Sequence, residues 1–132
     1  MIKVYIKADS RYPIERKRVR KLVQEFLKEM GVESETQIGV VVVGDRKMKE
    51  LNKKYLKVEG TTDVLSFSQT EIQDGVSEFV EPNSEDGLYL GDVVVSWPQA
   101  MKQAIERQIT VDEEIDFLVK HGLLHLMGIH HD

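Results

Sequence analysis

A chain of 132 residues and 15.2 kDa is long enough to bury one ordinary hydrophobic core without covalent staples, and a single domain over residues 1–132 is expected. The absence of cysteine excludes disulfide scaffolds, thiolate metal sites and cysteine nucleophiles, and no apolar run approaches the roughly 20 residues that span a bilayer, so no membrane partner is expected. The net charge of −5 argues against a nucleic-acid partner only on average: residues 1–60 hold 15 Lys or Arg against 9 Asp or Glu, whereas residues 61–132 hold 3 against 14.

The N-terminal MIKVYIKADS lacks a continuous apolar stretch and a small-residue cleavage site, so a cytoplasmic location is expected. Ile2–Ala8 alternates apolar and charged residues as a half-buried strand does. A helix should follow with Pro13 in its first turn, an inner face of Val19, Leu22, Val23, Phe26, Leu27 and Met30, and Gly31 as its stop. Gln37–Gly44 reads as a strand buried on both faces, after which Asp45 caps a short helix through about Tyr55. Met48 and Leu51 of that helix face in, and Lys47, Lys49, Lys53 and Lys54 ring its outside.

Val58–Thr62 reads as a loop and Asp63–Ser68 as a strand, with Val64 and Ser66 on one side and Leu65 and Phe67 on the other. Residues 68–87 form an acidic excursion, with a hairpin expected around Asp74–Gly75. A strand over Tyr89–Ser96 leads into a helix opened by a capping box of Ser96 and Gln99, and Thr110 with Glu113 repeats that signature for a last helix from about Val111 to Met127. The pattern predicts an α/β (α+β) fold: a mixed four-stranded sheet with four to five helices packed on both faces, the last of them zincin-like.

All four histidines, His121, His125, His130 and His131, fall in the last twelve residues. His121 and His125 are four apart on the last helix, which places them about 40° apart in projection and one turn apart along the axis, so both imidazoles can reach one ion. Gly128 can end that helix in the left-handed conformation and return the segment of His130 and His131 toward the same face, adding a third imidazole. Three neutral imidazoles suit Zn²⁺ and leave an open position for water. The spacing H-x-x-x-H-x-x-G-x-x-H is that of the metzincin proteases, but Gly122 stands where such a peptidase needs its general-base Glu.

HGLLHLMGIHH resembles the signature H-G-x-L-H-L-x-G-x-D-H of the YbeY family, metal-dependent endoribonucleases of ribosomal RNA maturation and ribosome quality control. LNKKYLKVEGTTDVLSF at Leu51–Phe67 is similar to that family's L-N-x-x-Y-R…T-D-V-L-S-F, and LGDVVVS at Leu90–Ser96 to its L-G-D-I-x-I-S. The resemblance implies one zinc per chain on His121, His125 and His131, with His130 standing where the family has Asp and Leu56 where it has a basic residue implicated in catalysis.

The expected function is therefore that of a single-strand-specific, zinc-dependent endoribonuclease. It would act on ribosomal RNA, at the 3′ end of 16S RNA, by metal-activated water attack on a phosphodiester, with the small ribosomal subunit and its proteins as partners. Lys53, Lys54 and Lys57 are candidates for RNA binding, Lys57 and Asp63 for catalysis, Asp63 and Ser66 for lining the cleft, and Asp92 for orienting a ligand imidazole. Two other readings are a metal-stabilised ribosome- or RNA-binding assembly factor with little catalysis and, disfavoured by Gly122, a metallopeptidase-like hydrolase.

Overall fold

The computed structural model describes residues 1–69 and 77–129. Its elements in chain order are β1 (Ile2–Ala8), α1 (Arg16–Glu29), β2 (Thr36–Val43), α2 (Asp45–Leu56), β3 (Val64–Ser68), a 3-10 turn (Ser84–Asp86), β4 (Leu88–Ser96), α3 (Trp97–Arg107) and α4 (Val111–Leu126). The sheet order is β1-β2-β4-β3, with β1, β2 and β4 parallel and β3 antiparallel to β4 at the edge. This is the mixed four-stranded sheet with interleaved helices that the hydrophobic periodicities require. The hairpin expected at Asp74–Gly75 lies outside the described residues.

Alternation along the strands divides the core in two. One face of the sheet presents Ile2, Val4, Ile38, Val40, Val93 and Val95 to α1, α3 and α4, which answer with Val19, Val23, Leu27, Ala100, Ile115, Leu118, Val119 and Leu123. The other face presents Val41, Val43, Leu65, Phe67 and Val94 to Met48 and Leu51 of α2. β2 is buried along its whole length because it is central and covered on both sides.

Three local expectations are corrected. Pro13 stands outside α1, whose N-cap is Glu15, because the chain first turns at Asp9, which takes hydrogen bonds from the Arg11 amide and guanidinium. Asp45 does not cap α2; it is the first helical residue after Gly44, and its carboxylate accepts hydrogen bonds from Thr61, Ser96 and Gln99 instead. The Ser96 hydroxyl accepts from the Gln99 amide at 3.3 Å, but with the Gln99 side chain drawn to Asp45 only half of the expected capping box forms. The second box is complete, Thr110 and Glu113 bonding each other reciprocally, and it fixes where α4 starts. One turn on, the fully buried Glu114 carboxylate is held by Arg107 of α3 at 2.8 and 3.2 Å, joining the two helices.

A register shift places one extra residue in β4 between the pairs Gln37 with Tyr89 and Gly39 with Asp92. Gly91, at φ 144°, takes the irregular position, which brings Tyr89 and Asp92 to the same face and into a hydrogen bond with each other. Ser77 donates to the other Asp92 oxygen at 2.7 Å.

Candidate active site

α4 crosses the sheet with Gly122 against Val93: a Cβ at Gly122 would lie 2.6 Å from Val93 Cγ1. Close approach therefore requires glycine here, which is the structural reason that no base-bearing side chain follows His121. Gly122→Ala should cost about 2 kcal/mol in denaturant unfolding through overpacking, with unchanged secondary structure by circular dichroism.

That approach sets His121 and His125, both exposed, along one wall of a cleft. Their ring centroids are 5.5 Å apart and the planes 37° apart. The helix ends as its glycine demands: Gly128 has φ 77°, its N–H donates to the His125 carbonyl at 3.0 Å, and Ile129 donates to the Leu124 carbonyl at 2.9 Å. This pair of hydrogen bonds ends the helix at the position the sequence predicts. The expected third ligand His131, like His130, lies outside the described residues. Among the described residues no group of three His, Asp or Glu side chains is placed to hold a metal. The donor set fits zinc as far as it is described: two imidazoles on successive turns, open to solvent, beside a hollow.

The cleft has a volume of about 560 Å³. Opposite the histidines stand Val64–Phe67 of β3, the Thr61–Asp63 loop, and Asn52, Leu56 and Val58 at the end of α2. Asn52 is buried and donates to the Gly60 carbonyl at 3.1 Å, which pins the loop that follows α2. Lys57 ends α2 in the left-handed conformation, φ 58°, so Leu56 lines the histidine cleft and Lys57 does not.

Lys53, Lys54 and Lys57 instead border a separate hollow with Glu50 and Glu59. Lys57 Nζ donates to the Lys54 carbonyl at 3.2 Å, Lys53 pairs with Glu59 at 3.8 Å, and Lys54 with Glu78 at 3.0 Å. The structure therefore does not bring these lysines to the histidines. Asp63 does reach the cleft, but its carboxylate already accepts from the Val64 amide at 2.7 Å and from Gln103 at 3.1 Å, bracing the start of β3 against α3.

Asp92 is not beside the imidazoles. It lies on the opposite face of the sheet, bonded to Tyr89 and Ser77, because alternation with Val93, which faces α4, turns it toward the α2 side. Burial there pushes its carboxyl above the ordinary range, against the opposing pull of those two hydroxyl donors. Asn52, Val58 and Thr61 are cleft residues that sequence reasoning missed. Asn52 stands one turn before Leu56 on the same helix face, a spacing that identifies it; Val58 and Thr61 depend on the left-handed turn at Lys57, which the sequence does not mark. A second hollow of about 630 Å³, between the N-terminus and α1 at the far edge of the sheet, contains no histidine.

The family model described as Endoribonuclease YbeY matches residues 5–132. A protein of Dehalococcoides mccartyi named Endoribonuclease YbeY is 36% identical over 117 residues, covering 86% of this chain and 67% of the relative. A second from another strain of that species is 34% identical over 134 residues, covering 98% and 83%, and one from Moorella thermoacetica is 38% identical over 102 residues, covering 77% and 64%. The solution structure of TM1509 from Thermotoga maritima superposes with a TM-score of 0.61 at 23% identity, over 98% of this chain and 75% of that one, a likeness of fold.

Proposed function

The chain belongs to the YbeY family of endoribonucleases, and from that premise we propose that the cleft beside His121 and His125 is the hydrolytic centre of a zinc-dependent, single-strand-specific endoribonuclease. Its substrate in this reading is ribosomal RNA in the cytoplasm, at the 3′ end of 16S RNA and in ribosome quality control, with the small subunit as partner. The observation that carries the reading is the pair of exposed imidazoles on successive turns of α4, opening onto a cleft whose far wall is braced. No helix among the described residues is long and apolar enough to cross a membrane.

His121 and His125 would hold the ion with His131 as third ligand. Zinc bound there would acidify a water and polarise a phosphoryl oxygen. The protein's own part is positioning. Asn52 and Asp63 keep the facing wall rigid through Gly60 and Gln103, so a substrate chain enters a groove of fixed width. Among the described residues no Lys or Arg lines this cleft, so its own side chains supply no positive charge to a phosphate. The lysines of α2, outside the cleft, suit the flanking backbone. The strongly acidic half of the chain suits a basic ribosomal protein.

The test is metal content together with cleavage. The purified chain should carry about one zinc by elemental analysis, cut unstructured RNA, and lose both zinc and cleavage on chelation. Purified chain without stoichiometric transition metal overturns the zinc reading.

One observation favours a second reading, a metal-stabilised RNA- or ribosome-binding factor: Leu56, not a cation, faces the histidines. Leu56→Arg separates the two. As a hydrolase lacking one phosphate-binding cation, the protein should gain about tenfold in kcat/KM, worth ~1.4 kcal/mol in the transition state. If neither form cuts single-stranded RNA while both bind it, the binding-factor reading stands. A peptidase is not proposed, since position 122 has no room for a base.

A further inference from the structure

We propose that the open edge of β3 at Ser66, together with the exposed side chains of Leu56 and Val58, forms a nucleobase subsite that reads the Watson–Crick edge of one unpaired base. It rests on the nuclease reading only in placing that base beside the cut.

The hydrogen-bond parity of β3 carries the first half of the argument. Residues of β3 pair with β4 in a fixed register, Val64 with Val95, Leu65 with Val94, Ser66 with Val93 and Phe67 with Asp92. The Ser96 amide donates to the Asp63 carbonyl at 2.9 Å, so Asp63 and Ser96 form a hydrogen-bonded pair. In an antiparallel ladder such pairs alternate with non-bonded ones, so Leu65 and Phe67 turn their backbone groups toward β4 while Val64 and Ser66 turn theirs away. The outward Val64 N–H is taken by the Asp63 carboxylate at 2.7 Å. At Ser66, among the described residues, nothing bonds to the outward N–H and C=O, and both project from an edge that lines the histidine cleft. Ser66 is also the partner of Val93, on which Gly122 rests, so this donor and acceptor stand next to the turn of α4 that bears the histidines.

Chemistry selects the occupant. A neighbouring donor and acceptor on one extended residue match the Watson–Crick edge of every base: N6 and N1 of adenine, N4 and N3 of cytosine, N1 and O6 of guanine, N3 and O4 of uracil. Leu56 and Val58 are 50% and 49% exposed, large apolar side chains left open at the cleft although charged residues surround them in sequence. Such a wall offers a flat heterocycle a surface to lie on and offers a phosphate nothing. Away from the histidines, the cleft lining among the described residues has no basic side chain and a single carboxylate, already bonded, which again suits an uncharged ring. In a duplex the edge read here is engaged by the complementary strand, so this subsite would itself reject paired RNA.

The test uses the whole chain, isotope-labelled, titrated with adenosine, cytidine, guanosine and uridine, which carry no phosphate. At least one nucleoside should saturably shift the Ser66 amide and the Leu56 and Val58 methyl resonances, while ribose alone leaves them in place. The counterpart methylated on its Watson–Crick nitrogen should bind about tenfold more weakly, and Val58→Ser should weaken the unmodified nucleoside by a similar factor. Binding indifferent to that methylation, or no saturable shift at Ser66 with any of the four, overturns the subsite. RNA cleavage measured alongside keeps the two readings apart. A chain that cuts RNA without a Ser66 shift removes the subsite alone; one that binds nucleosides at Ser66 but cuts nothing supports the subsite and removes the nuclease.

Discussion

Replacing His121 and His125 together by alanine should lower RNA cleavage by about a thousandfold or more, equivalent to ~4 kcal/mol of transition-state stabilisation, and should remove bound zinc from the purified protein. The fold should survive, because both side chains are exposed on the last turns of α4 and alanine is the best helix former. The thermal midpoint of the metal-free variant should therefore match that of the metal-free parent within a few degrees. Comparing the metal-free forms matters, since a ligand that binds only the native state raises apparent stability by mass action. Lys21→Ala is the matched control: it removes an exposed charge on α1, away from the histidines, the cleft and the lysines of α2. Cleavage that persists undiminished in the double variant identifies a contaminating nuclease.

The parts of this structure that are legible in the sequence are those set by periodicity and by local hydrogen bonding. Ile2–Ala8 alternates because one face of β1 meets α1, and the structure returns those limits unchanged. The Thr110–Glu113 box opens α4 and Gly128 closes it, each through bonds spanning no more than five residues. The spacing of His121 and His125 translates directly into rings on one wall, since helix geometry is independent of what the helix packs on.

What is not legible depends on partners far along the chain. Asp45 is an ordinary helix-capping residue by local chemistry, yet Ser96 and Gln99 of β4 and α3 outbid the amides of its own helix. Asp92 faces away from the histidines by simple alternation with Val93, whereas its partner Tyr89 reaches that same face only because one inserted residue in β4 shifts the alternation before it. The lysines of α2 flank the cleft in sequence but stand outside it in space: Lys53 and Lys54 lie on another face of the helix from Asn52 and Leu56, and at the left-handed Lys57 the chain leaves Leu56 and Val58, not the lysine, lining the cleft. The basic half of the chain thus predicts a charged surface correctly and its place relative to the site incorrectly.

Asp45→Ala should destabilise the protein by about 3 kcal/mol, lowering the thermal midpoint by roughly 10 °C. The carboxylate accepts from Thr61 at 3.0 Å, Ser96 at 3.0 Å and Gln99 at 3.2 and 3.3 Å, so truncation strands three donors where α2, α3 and the cleft loop meet. Burial pushes this carboxyl up, but the donors of Gln99, Thr61 and Ser96 outweigh burial and leave it below its ordinary value of 3.8. A carboxyl depressed in the native state contributes stability that is complete above its unfolded value and is withdrawn as the pH falls through the native one. The parent should therefore lose this contribution below about pH 4. Asp45→Asn, the same shape without the charge, should lie between parent and alanine variant at neutral pH and should lack that part of the acid decline. Coincident acid-unfolding slopes for the parent and Asp45→Asn would overturn this account. Because Thr61 is both a partner of Asp45 and part of the cleft wall, Asp45→Asn should also reduce kcat/KM for RNA several-fold while zinc content stays the same. Loss of zinc would instead mean that Asp45 supports α4 and its ligands rather than the facing wall.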